Sequence, residues 1–391
     1  MNETLCSALL RMLVLVTLLL GCVGVTSAQT QYVITNDDVV APFPNSISFF
    51  SVEADGTLQL AQEVRIGGFG IGSGYFGAKR VVALDNADQQ CAFGSEAFTG
   101  DIVGIAISSF AITGRASGSS TDAGTSNGIG LALNDSYLYA SYTDSNTIGT
   151  FAIEPGCTLS FLNDTTVSGL QGGAINAMAV HGNMLLTTFT DGSIESFDIS
   201  NGTPVANGDQ QISTGTTNSA GATYPNSIDV TKDGHFALFG DTSSSVVVEV
   251  SDISSGKLTK TKVYKSAKGI SSSDIMLSPD ETVLYVVNTQ GDSVMASFFN
   301  PNTGVLSGIC KSPPIRGMVS SWSYLSSLGF MSQSGNGGGV YIAEFGSTSG
   351  IALVQVTISG RSCTLQEAVS SPFLTASGGL LSIATFPPRS F

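Results

Sequence analysis

Hydrophobic and polar positions follow one repeating pattern along this chain. A hydrophobic strand is followed by a small polar turn and then by a second strand in which the two kinds of residue alternate. The pattern recurs seven times at intervals of roughly 46 to 57 residues, the range for units of four strands. It therefore predicts an all-β fold, a seven-bladed β-propeller. One aliphatic residue just past the turn marks each copy: Ile47, Ile102, Ile148, Ile194, Val246, Val294 and Ile351.

The third copy shows how one unit divides into strands. We expect an inner strand at 128–133, a second strand at 137–142 and a third at 148–153, with a hairpin at 154–156 before the outer strand. Strong β-formers alternate there with small polar residues, and Gly, Asn and Asp occupy the turns. Beyond the N-terminal segment we find no stretch of ten residues with helical periodicity.

The two ends of the pattern complement each other. The first copy begins at Gln31 and lacks an inner strand, whereas the stretch 379–386 reads as an inner strand without a unit of its own. Pairing them completes the seventh blade and removes two exposed sheet edges. We therefore expect a single domain over residues 29–391, its ring closed by the C-terminal strand joining the N-terminal strands.

The N-terminal segment, residues 1–28, has the features of an export signal. An apolar run at 12–20 follows the single positive charge of Arg11 and is too short to span a membrane. Small residues at 26–28 offer a cleavage site before Gln29. A second interpretation reads 19–22 as a lipoprotein box, which would place a lipid anchor on Cys22. Both interpretations predict an exported protein that is secreted, periplasmic or held at the cell surface.

Charge excludes one class of partner. The net charge is -15 and the pI is about 4.3. A nucleic-acid-binding protein needs a basic face to displace counterions, and this chain is acidic overall. We expect no nucleic-acid partner, and we expect a monomer.

Four cysteines lie beyond the signal region. An even number in an exported chain favours disulfides, and four cysteines allow three pairings. We favour Cys91 with Cys157 and Cys310 with Cys363, because each pair falls in blades that are adjacent in sequence. Four buried thiols are the alternative.

One stretch resembles a known repeat. Residues 284–294, Leu-Tyr-Val-Val-Asn-Thr-Gln-Gly-Asp-Ser-Val, resemble the repeat of YVTN-type propellers. Together with Ser278-Pro279-Asp280, the seven-copy layout resembles the lactonase-like seven-bladed propellers, which include 6-phosphogluconolactonases and cycloisomerases. The resemblance covers essentially all of the chain beyond the signal, and it specifies a fold more strongly than an activity.

The resemblance implies a site at the mouth of the central channel, formed where the inner strands begin. Active members of the group often carry His, Arg or Glu there, whereas the matching positions in this chain are mostly neutral. The candidate site residues are Arg80, Asn176, Asn226, Asp274, Trp322 and Tyr324.

Lactone hydrolysis would need a base to activate water and a positive or hydrogen-bonding group for the developing oxyanion. Asp274 is the candidate base and Arg80 the candidate oxyanion partner, with Asn176 and Asn226 orienting the substrate. Alternatively, these polar groups only hydrate the channel or cap strand starts. Trp322 and Tyr324 could stack on a ring of the ligand, or they could pack between blades.

Other chemistries find little support in the sequence. The two histidines, His181 and His235, fall in or beside predicted turns and do not form a zinc-ligand cluster. A carboxylate-rich turn at 36–38 could hold calcium but lacks EF-hand spacing. We therefore expect no cofactor and no metal site.

The leading hypothesis is an exported propeller that binds a small-molecule, protein or glycan ligand at the channel mouth and serves as a binding or scaffold module. The alternative is a lactone hydrolase of the 6-phosphogluconolactonase type with a divergent site. A third hypothesis is a structural surface protein without a small ligand.

Overall fold

A computed structural model describes residues 30–71, 79–118, 129–212, 225–241, 248–264, 272–288, 293–315, 324–333, 337–345, 350–360, 362–374 and 382–388. Every regular element in these residues is a β-strand, and residues 31–391 form one compact unit. The predicted signal segment, 1–28, lies outside the described residues. No helix in the described part of the chain has the length and apolar character needed to cross a membrane.

The first three blades contain eleven strands of the N-terminal half. Blade 1 contains β1 (Tyr32–Asn36), β2 (Ser46–Val52) and β3 (Leu58–Arg65); blade 2 contains β4 (Val81–Asp85), β5 (Gln90–Glu96), β6 (Asp101–Ala106) and β7 (Ala111–Ser117); blade 3 contains β8 (Ile129–Leu133), β9 (Tyr137–Tyr142), β10 (Thr147–Glu154) and β11 (Thr158–Thr166).

Blades 4 and 5 follow the same order from inner to outer strand. Blade 4 contains β12 (Ile175–His181), β13 (Met184–Phe189), β14 (Ser193–Asp198) and two short outer strands, β15 (Val205–Ala206) and β16 (Gln211–Ile212); blade 5 contains β17 (Pro225–Val230), β18 (Phe236–Asp241), β19 (Val248–Asp252) and β20 (Thr259–Tyr264).

The last two blades are followed by one further strand. Blade 6 contains β21 (Ser272–Leu277), β22 (Val283–Asn288), β23 (Ser293–Asn300) and β24 (Val305–Lys311); blade 7 contains β25 (Tyr324–Gln333), β26 (Gly337–Phe345), β27 (Gly350–Ser359), β28 (Ser362–Glu367) and β29 (Phe373–Leu374); β30 (Ser382–Phe386) returns to blade 1.

The C-terminal strand closes the ring as predicted. β30 pairs antiparallel with β1, with Ser382 opposite Asn36 and Phe386 opposite Tyr32, and it becomes the inner strand of blade 1. The inner strands of neighbouring blades contact one another in the cyclic order β30, β4, β8, β12, β17, β21, β25 and back to β30. The fold is therefore a closed seven-bladed propeller in which both chain ends share one sheet.

The aliphatic repeat marks the third strand of each blade. Ile47, Ile102, Ile148, Ile194, Val294 and Ile351 all lie there and are fully buried. Val246 lies outside the described residues. In blade 5 the corresponding buried residue is Val248, which pairs with Gly240 as Ile194 pairs with Thr188 in blade 4.

Among the described residues, the hydrophobic core consists of seven clusters, one between each pair of adjacent blades. Side chains alternate along a strand, so each blade contributes one face to the cluster before it and the other to the cluster after it. Between blades 1 and 2, for example, Ile47 and Phe49 pack with Ala92 and Val103. The blades are thus held side by side mainly by apolar burial.

Two disulfides join neighbouring blades, in the pairing favoured from the sequence. Cys91 and Cys157 link blades 2 and 3, with their Cα atoms 5.5 Å apart. Cys310 and Cys363 link blades 6 and 7, with a Cα separation of 5.9 Å. The alternative of four buried thiols is therefore wrong.

Candidate functional site at the channel mouth

The channel mouth is the end of the central channel at which the seven inner strands begin. Four consecutive inner strands, β12, β17, β21 and β25, start with an interruption of the register to the second strand of their blade. Such bulges insert one extra residue and re-aim its side chain, and they are common beside binding sites. The extra residues are Asn176, Asn226, Ser273 and Ser326.

The register also places the candidate base. Asp274 pairs with Val287 directly after the bulge of β21, as Ser227 pairs with Gly240 after the bulge of β17. The residue of β21 that corresponds to Asn226 is therefore Ser273. Asp274 stands one residue further along, at the position that Ser227 occupies on the neighbouring blade.

The two asparagines present buried acceptors at this mouth. The Nδ2 of Asn176 donates to the carbonyl oxygen of Pro225 at 3.0 Å and so ties blade 4 to blade 5. The Oδ1 atoms of Asn176 and Asn226 and the Oγ of Ser227 are buried and have no hydrogen-bond partner in the described residues. All three residues are at most 3% exposed. Buried polar atoms in proteins are normally paired with protein, water or a ligand.

Asp274 is held by its local backbone. It is buried, and its Oδ1 accepts the backbone N–H of Ile275 at 2.9 Å. Asp229 on β17 makes the same local contact to Val230 at 2.8 Å, and its second oxygen accepts the N–H of Leu277 on β21 at 2.6 Å. Aspartates on these inner strands therefore anchor the backbone, and Asp229 also joins two blades.

Arg80 lies at the junction of blades 1 and 2. Its side chain is 1% exposed, and its Nη1 lies 2.5 Å from the Oδ2 of Asp38. The Arg80 backbone N–H donates to the Oγ of Ser382 at 2.9 Å, and its carbonyl accepts from the Nδ2 of Asn36 at 2.9 Å. A side chain at Gly70 would collide with the backbone of Asp38, so the pair is tightly enclosed. The charge of Arg80 is therefore compensated inside the protein.

The turn that supplies Asp38 also contains Asp37, whose carboxyl group is buried. The sequence pattern did not predict that burial. The hydroxyls of Thr35, Ser46 and Ser48 donate to the carboxyl oxygens of Asp37 at 2.7, 2.5 and 2.8 Å. Burial raises the pKa of Asp37 to about 6 despite these three donors. Asp37 and Asp38 thus hold protein groups, and no cluster of three metal-ligating side chains occurs in the described residues.

Ring order separates the candidates into two groups. Asn176, Asn226 and Asp274 lie on the consecutive blades 4, 5 and 6, and Tyr324 begins β25 on blade 7. From Asp274, the shorter way to Arg80 leads through blades 7 and 1 to blade 2, the largest separation that seven blades permit. In ring order the two asparagines and Asp274 therefore follow one another on adjacent blades, and Arg80 stands three blades away from Asp274. Trp322 lies outside the described residues.

Comparison with known proteins agrees with this architecture. The model of the family "Lactonase, 7-bladed beta-propeller" matches residues 102–372, more than half of the chain. The chain belongs to this family. A search of the curated proteins found no match.

Solved structures similar to this lactonase-family chain share its fold at low sequence identity. A protein of Bacteroides uniformis provisionally named a 6-phosphogluconolactonase has a TM-score of 0.68 at 14% identity, over 92% of this chain and 100% of that one. A Bacteroides fragilis protein with the same provisional name has a TM-score of 0.66 at 13% identity, over 92% of this chain and 99% of that one. A functionally unknown protein of Desulfotomaculum acetoxidans has a TM-score of 0.62 at 16% identity, over 90% of this chain and 98% of that one. At such identities the likeness shows the fold alone.

The described mouth of this lactonase-family propeller is rich in neutral acceptors on blades 4 and 5. The arc of blades 4 to 6, which we call the acceptor arc, consists of Asn176, Asn226, Ser227 and Asp274. Amide, hydroxyl and carboxylate oxygens of this kind accept hydrogen bonds from ligand hydroxyls or from water. The bulges that create the arc could not be read from the sequence, because they are defined by pairing with the second strand.

Proposed function

We propose that this protein is a binding propeller whose acceptor arc takes a neutral, polyhydroxylated small molecule or the terminal unit of a glycan. The single observation that carries the proposal is the set of buried acceptors at the starts of β12 and β17 that have no hydrogen-bond partner among the described residues. An unpaired buried oxygen costs about 1–3 kcal/mol, so a ligand that donates to several of them gains affinity from each. Hydroxyl groups supply such donors without bringing a charge into the site.

The contacts of Arg80 and Asp274 support binding over catalysis. A hydrolase needs a positive or hydrogen-bond-donating group at the developing oxyanion, and Arg80 is paired with Asp38 three blades from Asp274. The acceptor arc provides oxygens that accept hydrogen bonds, and an oxyanion needs donors instead. The geometry therefore favours recognition of a ligand over stabilisation of a negative transition state.

Binding can be tested with a panel of neutral sugars, polyols and sugar lactones by isothermal titration calorimetry. We expect at least one polyhydroxylated compound to bind, and Asn226→Ala to weaken that binding at least tenfold. Asn302→Ala, which changes an exposed asparagine in the turn after β23, is the matched control and should leave the affinity unchanged. An affinity that Asn226→Ala does not alter would contradict the site.

Lactone hydrolysis is the second candidate, because the family is named for lactonases and Asp274 stands in the acceptor arc. Its test is turnover of the lactone panel by the wild type, Asp274→Asn and the exposed control Asp88→Asn. Turnover that Asp274→Asn abolishes and Asp88→Asn retains would establish a hydrolase. If no compound binds or turns over, the protein is best explained as a structural surface protein.

We also propose that the protein is exported and that residues 1–28 are its signal. The two disulfides support this, because they form and persist in oxidising compartments. Mass measurement of the mature N-terminus distinguishes the two forms: a start at Gln29 indicates simple cleavage, and a lipid on Cys22 indicates an anchored protein. A chain that keeps Met1 in its native host would contradict export.

A further inference from the structure

The two disulfides in the described part of the chain stand in different surroundings. Cys91 and Cys157 are 0% and 2% exposed and lie within the hydrophobic cluster between blades 2 and 3. Cys310 and Cys363 are only partly buried, at the edge of the cluster between blades 6 and 7. A reagent in solution can therefore approach the second disulfide without prior opening of the core.

A cleft of about 460 Å³ opens directly onto this second disulfide. Both cysteines form part of its wall, and the strands β24 and β28 supply most of the rest. The remaining lining residues are Lys311, Pro313, Thr364, Leu365 and Gln366. The cleft lies at the outer strands of blades 6 and 7, away from the acceptor arc, which the inner strands of the ring form. It is therefore a separate feature of the molecule.

The described lining residues of the cleft carry one positive charge, whereas the chain as a whole is acidic. Lys311 is the one charged residue among the described lining residues, whereas the whole chain carries a net charge of -15. A local cation raises the concentration of small anions nearby, an effect that weakens with ionic strength. Disulfides react with thiolates, and exposure controls their rate.

We propose that Cys310–Cys363 is a thiol–disulfide exchange site for small thiols that carry a carboxylate. In the first step, the incoming thiolate bonds to one cysteine sulfur, and the bond between the two cysteines breaks with its electron pair leaving on the other sulfur. A second thiolate then displaces the first cysteine. The products are two cysteine thiols, after protonation, and one small disulfide, so two thiols are oxidised as one protein disulfide is reduced.

Exchange at this position would release the covalent link between the outer strands of blades 6 and 7 and leave the ring closed. The inner-strand contacts, the pairing of β30 with β1 and the buried Cys91–Cys157 bridge do not depend on it. The reduced protein should therefore stay folded, with two reactive thiols at one surface cleft.

The test is differential alkylation of the purified, oxidised protein under native conditions. Pre-existing thiols are first blocked, 3-mercaptopropionate is added for graded times, and the new thiols are labelled with a second reagent and located by peptide mass spectrometry. We expect Cys310 and Cys363 to be labelled at least tenfold faster than Cys91 and Cys157. In concentrated guanidinium chloride the two rates should converge, because the difference comes from the fold. Equal or reversed rates in the native protein would overturn the proposal.

The thiol class has its own comparison. At low salt and equal thiolate concentration, the rate ratio of 3-mercaptopropionate to cationic cysteamine at Cys310–Cys363 should fall severalfold in Lys311→Gln. The repulsion of anions by the rest of the protein acts on both forms and cancels in this comparison. A ratio that Lys311→Gln leaves unchanged would overturn the assignment to carboxylate thiols.

Discussion

The guanidinium of Arg80 and the carboxylate of Asp38 form an ion pair, with Nη1 and Oδ2 2.5 Å apart, beneath the surface of the mouth between blades 1 and 2. Asp38 lies in a turn where its backbone takes a positive φ of 48°, and its Oδ1 accepts the N–H of Ile71 at 3.2 Å. A residue that the family resemblance suggests for catalysis therefore has a structural role that the contacts make explicit.

Removing one partner of this pair should destabilise the protein strongly. Asp38→Asn removes the carboxylate that pairs with the buried charge of Arg80, and breaking buried pairs in this way costs about 3–5 kcal/mol. Urea unfolding should show that loss. Arg65→Ala, whose side chain is 77% exposed and forms a surface ion pair with Glu63, is the control and should cost less than about 1 kcal/mol. A small effect of Asp38→Asn would mean that the pair does not hold the junction.

Deleting the closing strand should unfold the whole propeller. A chain ending at residue 379 lacks β30, which exposes the edge of β1 and removes Ile383 from the cluster between blades 7 and 1. We expect loss of cooperative thermal unfolding, recorded by circular dichroism. Thr385→Ala keeps the backbone of β30 and should unfold cooperatively near the wild-type temperature. A truncated protein as stable as the wild type would show that closure contributes nothing.

Stability should depend on pH through Glu195. Burial, followed by the nearby charge of Asp209, raises the pKa of this carboxyl to about 7 from an ordinary value of 4.5. Between these values the folded protein binds more protons than the unfolded chain, so this contribution to stability declines as pH rises from about 4.5 to 7. Glu195→Gln should therefore raise the free energy of unfolding above that of the wild type by roughly 1 kcal/mol at pH 8 and by little at pH 4. This magnitude includes a reduction for the remaining contact of the carboxyl with water.

The exposed control for this titration is Glu154→Gln, at the end of β10. This variant removes an exposed carboxyl by the same substitution, so the comparison isolates the effect of position 195. A pH-independent effect of Glu195→Gln would contradict the raised pKa.

Under mild reduction, the buried disulfide Cys91–Cys157 should account for most of the stability that disulfides give the protein. Replacing both Cys91 and Cys157 with Ala removes a link across 66 residues, and losses of about 2–5 kcal/mol are typical. Denaturant unfolding under oxidising conditions measures the loss. The parallel replacement of Cys310 and Cys363 supplies the comparison, since that link spans 53 residues. If mild thiol treatment lowered the stability of the wild type as much as replacing Cys91 and Cys157 does, the assigned difference in accessibility between the two disulfides would be wrong.

The sequence predicted the ring because a propeller repeats one local pattern. Alternation places Ile148 and its counterparts in buried third strands. The C-terminal strand could be paired with β1 because the first copy of the repeat lacks an inner strand. The disulfide pairing followed from blade adjacency. These features depend on periodicity and chain order, which a single sequence contains.

The mouth could be predicted only in part. The bulges at Asn176 and Asn226 depend on pairing with a second strand, and the ion pair of Arg80 depends on a turn 42 residues earlier in the chain. Neither relationship leaves a periodic signal. Ring order also separates Arg80 from Asp274, although the family resemblance suggests both as site residues.

The most direct measurement of the binding site is a high-resolution crystal structure of the protein with the tightest-binding compound of the panel. Our account predicts ligand hydroxyls within hydrogen-bond distance of Asn176 Oδ1 and Asn226 Oδ1. A ligand bound elsewhere, or these oxygens occupied by water alone at saturating ligand, would contradict it.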